Sequence, residues 1–222
     1  MQGCDLVITL FDSSELCSNL FGFFFQWIIE DPRVAVLIKP KCKDFLEMIE
    51  AHDIYPLYKQ AIQTNRVVLL DHKISPSVPA LSSDFSVGVG SPSAIIVSSL
   101  VGAKVIYFDP QHADHPDSIL SRFALLYTLG KNRCVFYSLD DIRNILCKYL
   151  DNPSCYTMLG DISPLHNKID PFRDGMAGDR ISDFISWYLE GIDKGYDRFK
   201  SLELAARRYS DQWGSDKVFR NI

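Results

Sequence analysis

The segment from Asp84 to Asp109, DFSVGVGSPSAIIVSSLVGAKVIYFD, limits the fold more than any other part of the chain. Phe85 to Val89 is a short, valine-rich apolar run, which predicts a buried parallel strand. The helix SAIIVSSLV follows and stops at Gly102, and Lys104 to Phe108 predicts the next strand. Two strands joined by a single helix form a right-handed crossover, so these strands are expected to lie parallel.

The turn between this strand and this helix has the composition of an anion site. Gly88 and Gly90 would leave room for a ligand to approach the backbone. Ser91 is a good N-cap for the helix, and Pro92 fits its first position. The free N–H groups of the Ser91 to Ala94 turn would then form an anion site. A tight turn that binds no ligand accounts for the two glycines equally well.

Six apolar runs alternate with helical patterns along residues 1–150, which is typical of a doubly wound parallel sheet. The predicted strands are Asp5–Phe11, Arg33–Ile38, Arg66–Leu70, Phe85–Val89, Lys104–Phe108 and Cys134–Tyr137. The other predicted helices are Glu15–Glu30, Lys43–Ala51, Tyr55–Ile62, Ser75–Leu81, Asp117–Leu129 and Asp140–Leu150. We therefore predict an α/β, Rossmann-like fold with a six-stranded parallel sheet in the order 3-2-1-4-5-6.

The alternation stops after Leu150. Residues 151–173 show no clean period and predict an ordered loop, and two helices are predicted at Met176–Glu190 and Lys200–Trp213. Apolar positions in the first of these helices are too few for an independent core. We therefore expect a single domain over residues 1–222, in which residues 151–222 pack as a loop and extra C-terminal helices on the 1–150 core.

Composition limits the class of protein. The chain has 222 residues, 47% of them hydrophobic, and a formal charge of −5, which argues against a nucleic-acid groove as its main surface. None of its six cysteines forms a C-x-x-C pair, so we expect free thiols in a reducing compartment and no metal site. The N-terminus lacks the features of a signal peptide, and the run LFGFFFQWII is too short to span a bilayer.

Ligands of open parallel sheets bind at the carboxyl ends of the strands, near the point where the strand order reverses. Four predicted strand ends carry polar groups: Asp12-Ser13-Ser14, Lys39-Pro40-Lys41, Asp71-His72 and Gly90-Ser91-Pro92-Ser93. A helix N-terminus beside a lysine suits a phosphate or diphosphate. Singly, these groups are explained as helix caps, a solvated strand end and loop polar residues. Their convergence on one edge of the sheet is what favours a ligand.

Three common nucleotide and hydrolase motifs are missing. No G-x-G-x-x-G follows the first strand, which argues against a dinucleotide-binding dehydrogenase. No G-x-x-x-x-G-K-[ST] and no G-x-S-x-G occurs, so neither a P-loop NTPase nor a nucleophile-elbow hydrolase is supported.

Arg173, in the stretch PFRDG, is a further candidate. Its guanidinium can bind a phosphate or a carboxylate through two hydrogen bonds. Alternatively it pairs with Asp170 or Asp174 and fastens the C-terminal helices to the sheet.

Two of these turns and the C-terminal segment resemble the C-terminal half of GT-B glycosyltransferases, in particular bacterial capsule and lipopolysaccharide transferases related to the Kdo and sialic acid families. VAVLIKPK matches the family's basic Lys-Pro turn at Lys39 and Pro40, although Lys41 stands where the family usually has histidine. GVGSPSAII matches its serine-rich turn at Ser91 and Ser93. IDPFRDGMAGDRISDFISWYLEG is similar to the tail of surface-polysaccharide biosynthesis proteins. The resemblance is most convincing over residues 60–215.

The resemblance implies a cytoplasmic nucleotide-sugar-binding domain of a glycosyltransferase for surface polysaccharides, at most peripheral at the inner membrane. It implies a CMP- or UDP-linked donor, no cofactor, no nucleic acid and no membrane span. The acceptor domain, with the catalytic base, would then lie outside this sequence or on a partner chain, and the acceptor would be a glycan or a lipid-linked glycan. The residues predicted to bind the donor or its phosphate are Ser13, Lys39, Gly88, Gly90, Ser91, Ser93 and Arg173.

Two alternatives stay open at this point. One is a Rossmann-like module that binds a partner or a sugar nucleotide without catalysis. The other is a domain like that of the sugar-nucleotide 2-epimerases, which share the GT-B fold.

Overall fold

A computed structural model describes residues 3–11, 17–89, 93–110, 124–130 and 132–217. Its sheet has the strands β1 (Leu6–Phe11), β2 (Val34–Lys39), β3 (Val67–Leu69), β4 (Phe85–Val89), β5 (Lys104–Phe108) and β6 (Val135–Phe136). The strand order is β3-β2-β1-β4-β5-β6, and every neighbouring pair is parallel. The predicted α/β class, strand order and parallel pairing are therefore confirmed.

Helices follow the strands as the periodicity predicts. They are α1 (Ser18–Glu30), α2 (Phe45–Glu50), α3 (Tyr55–Gln63), α4 (Ser77–Ala80), α5 (Ser93–Leu100), α6 (Ala124–Tyr127), α7 (Leu139–Asp151), α8 (His166–Ile169), α9 (Ala177–Asp193) and α10 (Arg198–Trp213). The predicted first residues of α1 and most of the helix predicted over 117–129 lie outside the described residues. The predicted 151–173 loop contains α8 and two 3-10 turns, at Pro153–Tyr156 and Ser163–Leu165, which are too short to show a period.

One face of the sheet carries the hydrophobic core. Alternate residues of β1, namely Leu6, Ile8 and Leu10, point to this face because side chains alternate along a strand. They join a buried cluster with side chains of α1, α2, α3 and α7. Helix α1 is apolar nearly all round and contributes the fully buried Trp27.

Helices α4 and α5 pack on the opposite face. Thr9 of β1 is fully buried there, and its hydroxyl donates to the carbonyl of Pro79 in α4 at 3.3 Å. Ser86 of β4 pairs with Thr9 across the sheet and is also fully buried. Small and hydroxylated residues thus line this second interface, so α4 and α5 lie close to the strands.

The end of α5 has the predicted glycine cap. Gly102 has φ +95°, a left-handed conformation that glycine adopts without steric cost. The N–H groups of Gly102 and Ala103 donate to the carbonyls of Ser99 and Ser98 at 3.0 and 3.1 Å. This pair of bonds is the Schellman motif, and it turns the chain directly into β5.

Gly160 completes the sheet at the amino ends of β5 and β6. Its carbonyl accepts from the N–H of Val105 at 2.8 Å, and its N–H donates to the carbonyl of Arg133 at 2.6 Å. The Arg133 guanidinium contacts the carboxylate of Asp161 at 3.0 Å, which holds the segment in place. No periodic pattern in the sequence indicated that this loop residue bridges two strands.

The chain divides into two compact units, Met1–Leu165 and His166–Ile222. In the second unit, α9 and α10 pack so closely that a Cβ on Gly191 would lie 2.8 Å from the hydroxyl of Ser201. Arg180 lies 3.6 Å above the ring of Phe172 and pairs with Asp174. The expected packing of the C-terminal helices on the sheet domain stays a prediction.

Four apolar residues of α9 have mixed exposure. Phe184, Trp187 and Tyr188 are half-buried, whereas Leu189 is 52% exposed. Among the described residues, no helix combines the length and the apolar character needed to cross a membrane.

Candidate functional site

The candidate site lies at the carboxyl edge of the sheet, where the strand order reverses between β1 and β4. Phe11, at the end of β1, pairs with Lys39 on one side and with Gly88 on the other. Neighbouring strands are about 4.8 Å apart, so Lys39 and Gly88 lie roughly 10 Å from each other across this edge. The register thus brings two of the predicted site residues together.

Lys39 is almost completely buried, with 6% of its surface exposed. Its ammonium donates to the carbonyl of Pro40 at 2.6 Å and to the carbonyl of His72 at 2.9 Å. The lysine therefore ties the end of β2 to the loop after β3. Its positive charge is positioned at the carboxyl edge, but two backbone carbonyls share it.

Asp71 and His72 form a short, ordered turn after β3. The carboxylate of Asp71 accepts from the N–H of Lys73 at 2.8 Å and lies 3.3 Å from Nδ1 of His72. That backbone hydrogen bond, followed by the charges of His72, Lys73 and Lys39, lowers the pKa of Asp71. An ionised carboxylate and an imidazole that is one-third exposed therefore occupy the β3 end of the edge.

Gly88 is buried in β4, facing α5. A Cβ at this position would lie 2.9 Å from Cγ2 of Ile95, so the glycine allows α5 to pack against the strand. This close approach is what places the first residue of α5 at the carboxyl edge. The expected contact of Gly88 with a ligand stays a prediction.

Ser93 is the first residue of α5 and is exposed at the edge. The first N–H groups of a helix have no partner within the helix and carry a partial positive charge. Ser13, Gly90 and Ser91, which were also predicted to bind the donor, lie outside the described residues, as does the predicted cap at Asp12–Ser14.

Arg173 belongs to the second unit and has φ +50°. Its N–H donates to the carboxylate of Asp170 at 3.0 Å, and its guanidinium donates to the side chain of Asn167 at 2.7 Å. Asp174 pairs with Arg180 instead, and the hydrogen bond from that guanidinium lowers the pKa of Asp174. Arg173 is thus held within its own loop, and its binding of an anion stays a prediction.

Asp109, the residue directly after β5, is a further candidate. It is 1% exposed, and its carboxylate accepts from the hydroxyl of Tyr127 at 2.7 Å. Burial, and next the hydrogen bond to Asp109, raise the pKa of Tyr127. Burial, and next the charge of Asp109, raise the pKa of Tyr107 to about 12. Since Phe108 pairs with Val89, Asp109 lies at the carboxyl edge, one residue beyond that pair. An acid directly after a buried strand was the available signal.

No group of three or more His, Cys, Asp and Glu side chains within the described ranges is arranged to hold a metal ion. The described edge offers hydrogen-bonding and charged groups. Basic and N–H donor groups lie at Lys39 and the start of α5, and carboxylates lie at Asp71 and Asp109. This mixture suits a ligand that carries both an anionic group and hydroxyl groups.

No protein-family model, no curated protein and no solved structure matches this chain.

Proposed function

We propose that the first unit binds a nucleotide sugar and serves as the donor-binding domain of a glycosyltransferase of surface-polysaccharide biosynthesis. The observation that carries the proposal is the reversal point between β1 and β4, which has Lys39 on one side and the start of α5 on the other. Crevices at such points are where open parallel sheets bind nucleotides.

The N-terminus of α5 suits the phosphate of the donor. Roughly half a positive charge and unpaired N–H groups lie at a helix start, and both gain most when they face an anion. Gly88 contributes by letting α5 pack closely on β4, which sets the position of this helix start.

The width of the edge suits a ligand larger than a phosphate. From β4 to β3 there are three strand spacings, or roughly 14 Å. Along it lie the start of α5, Lys39 and the Asp71–His72 turn, each of which offers hydrogen bonds of a different kind. A nucleotide sugar could place its phosphate at the start of α5. Its hydroxyl groups and base would then lie along the rest of the edge, where they can form hydrogen bonds.

A glycosyltransferase of the GT-B type needs a second domain that binds the acceptor. In this proposal that domain and the catalytic base are supplied from outside the 222 residues. The chain alone is then expected to bind a CMP- or UDP-linked sugar, or the free nucleotide, and to transfer nothing.

Ser93→Asp tests the position of the phosphate. A carboxylate at a helix start stabilises the helix, but it repels a phosphate bound to the same N–H groups. We expect nucleotide binding to weaken at least tenfold in calorimetric titrations with CMP, UDP, CDP and GDP, while thermal stability is unchanged or raised.

Ser138→Asp is the matched control. Ser138 caps α7, its hydroxyl accepts from the N–H of Asp141, and aspartate caps a helix equally well. Its position after β6 is two strands away from β4 on the same edge, so binding should change little. If the unsubstituted chain binds none of the four nucleotides at millimolar concentration, or if Ser93→Asp binds as well, the site is wrongly placed.

Lys39→Ala tests the other side of the reversal point. Loss of a charged hydrogen-bonding group should weaken binding by about 1.5–3 kcal/mol. Lys39 also donates hydrogen bonds to two backbone carbonyls, so its removal could lower stability. The thermal stability of Lys39→Ala is therefore compared with that of Lys39→Met, which keeps an unbranched side chain of similar length but loses the charge. Turnover of a sugar nucleotide to a free epimer, measured in a separate assay, would instead identify an epimerase-like domain.

A further inference from the structure

A hollow of about 280 Å³ lies at the amino edge of the sheet, opposite the edge that carries the candidate nucleotide site. It is lined by the end of α5, by Lys104 at the start of β5, by Tyr149 of α7 and by residues between Ala80 and Asp84. Its volume is slightly below the range of pockets for drug-sized ligands, so it suits a small molecule.

Asp84 supplies a negative charge to this hollow. It is the one charged residue in the stretch 74–103, although 23% of the whole chain is charged. One of its carboxylate oxygens accepts from the N–H of Val7 at 2.8 Å, which leaves the other oxygen for a ligand. Val101 and Gly102 at the C-terminal end of α5 also line the hollow, and this end of a helix favours a cation. This part of the hollow therefore suits an ammonium group.

Lys104 supplies a positive charge to the same hollow. Its ammonium donates to the carbonyls of Tyr156 and Thr157 at 3.3 and 3.2 Å, and lies 5.0 Å from the centre of the Tyr149 ring. An ammonium has three N–H donors, so one is left for a ligand. Burial lowers the pKa of Lys104, and an anionic group bound beside it would stabilise the charged form. This part of the hollow therefore suits a carboxylate.

The two charges line one hollow without pairing with each other. Within the described residues, the hydrogen bonds of Asp84 and Lys104 go to backbone groups, and no ion pair joins the two. The charge of Asp84 acts on Tyr149 instead, since burial, and next that charge, raise the pKa of the Tyr149 hydroxyl. A ligand that carries both a cationic and an anionic group can pair with both side chains at once.

Two exposed aliphatic side chains also line the hollow. Leu81 is 70% exposed and Val101 is 37% exposed. Covering such side chains with an apolar group is favourable by about 25 cal/mol for each Å² removed from water. An aliphatic group on the ligand would therefore add to its affinity.

We propose that this hollow binds a free α-amino acid with an aliphatic side chain. The ammonium of the ligand pairs with Asp84, its carboxylate pairs with Lys104, and its side chain lies on Leu81 and Val101. Each of the three groups of such a ligand thus meets a matching side chain of the hollow. The site lies at the edge opposite the candidate nucleotide site, so the proposal does not depend on the ligand of the carboxyl edge.

Calorimetric titration of the full chain with leucine, up to about 10 mM, tests the class of ligand. Leucinamide lacks the carboxylate and N-acetylleucine lacks the ammonium. We expect leucine to bind, and each analogue to bind more weakly by about tenfold or more, because each loses one charged hydrogen bond. Glycine, which lacks the side chain, should also bind more weakly than leucine. No binding of leucine, or equal binding of leucine and the two analogues, would overturn the proposal.

Asp84→Asn and Lys104→Met test the place of the site. Asparagine keeps an oxygen that can accept from the N–H of Val7, so Asp84→Asn removes the charge and retains this bond. Both variants should bind leucine more weakly by about tenfold or more, with thermal unfolding recorded to show that they are folded. If Lys104→Met fails to fold, Asp84→Asn and the two analogues still decide the outcome.

Lys148→Met is the matched control. Lys148 precedes Tyr149 on α7, but it lines a different hollow. This variant should bind leucine as the unsubstituted chain does. Unchanged binding by folded Asp84→Asn, or an equal loss in Lys148→Met, would place the amino acid elsewhere and overturn the proposal.

Discussion

Gly160 has two separate reasons to be glycine. Its φ of +72° is left-handed, and a Cβ would lie 2.9 Å from the backbone N of Val105. Gly130, with φ +90° and nothing within 4 Å of a Cβ, has only the first reason. We expect Gly130→Ala to lower the free energy of unfolding by about 1–2 kcal/mol and Gly160→Ala by clearly more, as urea titration would measure. If both variants lost the same free energy of unfolding, β5 and the Gly160 segment would be able to move apart at no cost in stability.

The same residue scale shows what the sequence could predict of the candidate site. The predicted strand order places Gly88 and Lys39 at the carboxyl edge, on either side of β1. The structure has both residues at these positions. The side chains and carbonyls that contact these two residues could not be predicted from the sequence, because they belong to segments that are distant along the chain. Ile95 fills the space above Gly88, and the carbonyl of His72 accepts from the amine of Lys39. Neither contact has a signal in local spacing.

At the scale of elements, Glu190 links α9 to α10. Its carboxylate accepts from the guanidinium of Arg208 at 2.6 Å and also pairs with Lys194. These hydrogen bonds, that from Arg208 first, lower the pKa of Glu190 to about 2, from 4.5. A lowered folded-state pKa means that the stabilisation is complete above pH 4.5 and is lost as pH falls toward 2. We expect Glu190→Gln to lower the free energy of unfolding at pH 7. We also expect the stability of this variant to fall less steeply between pH 4.5 and pH 2.

Glu203→Gln is the comparison for this element. Glu203 pairs only within α10 in the described structure, with Lys200 and Arg207. Unfolding midpoints measured from pH 7 to pH 2 should therefore change less for Glu203→Gln than for Glu190→Gln. Both effects should shrink in salt because the groups are exposed. A Glu190→Gln profile parallel to that of the unsubstituted chain would contradict the assignment.

Elements with a strong period were predictable, and those defined by tertiary contacts were not. Strands β1 and β2 and helices α1 and α7 have the composition of buried strands and amphipathic or buried helices, and the structure has them near the predicted bounds. Residues 151–173 were predicted as loop because 3-10 turns of three or four residues leave no periodic trace. The bridge that Gly160 makes between β5 and β6 depends on Arg133 and Val105, which lie far along the chain.

At the scale of the whole molecule, the two compact units differ in how much apolar surface they bury. Every residue of the main hydrophobic cluster lies in Met1–Leu165. Among the described residues of His166–Ile222, the one buried apolar side chain is that of Ala205. A chain of that size buries too little surface to be stable by itself without further support.

A cut after Leu165 follows from this difference. We expect residues 1–165 to fold alone, with cooperative thermal unfolding and the circular dichroism of an α/β protein, because they retain the whole cluster. We expect residues 166–222, made separately, to show little helix at 25 °C. If the C-terminal helices pack on the sheet domain as predicted, residues 1–165 should unfold at a lower temperature than the full chain, and adding the 166–222 peptide should raise that temperature. Cooperative unfolding of the isolated peptide would instead make it an independent domain.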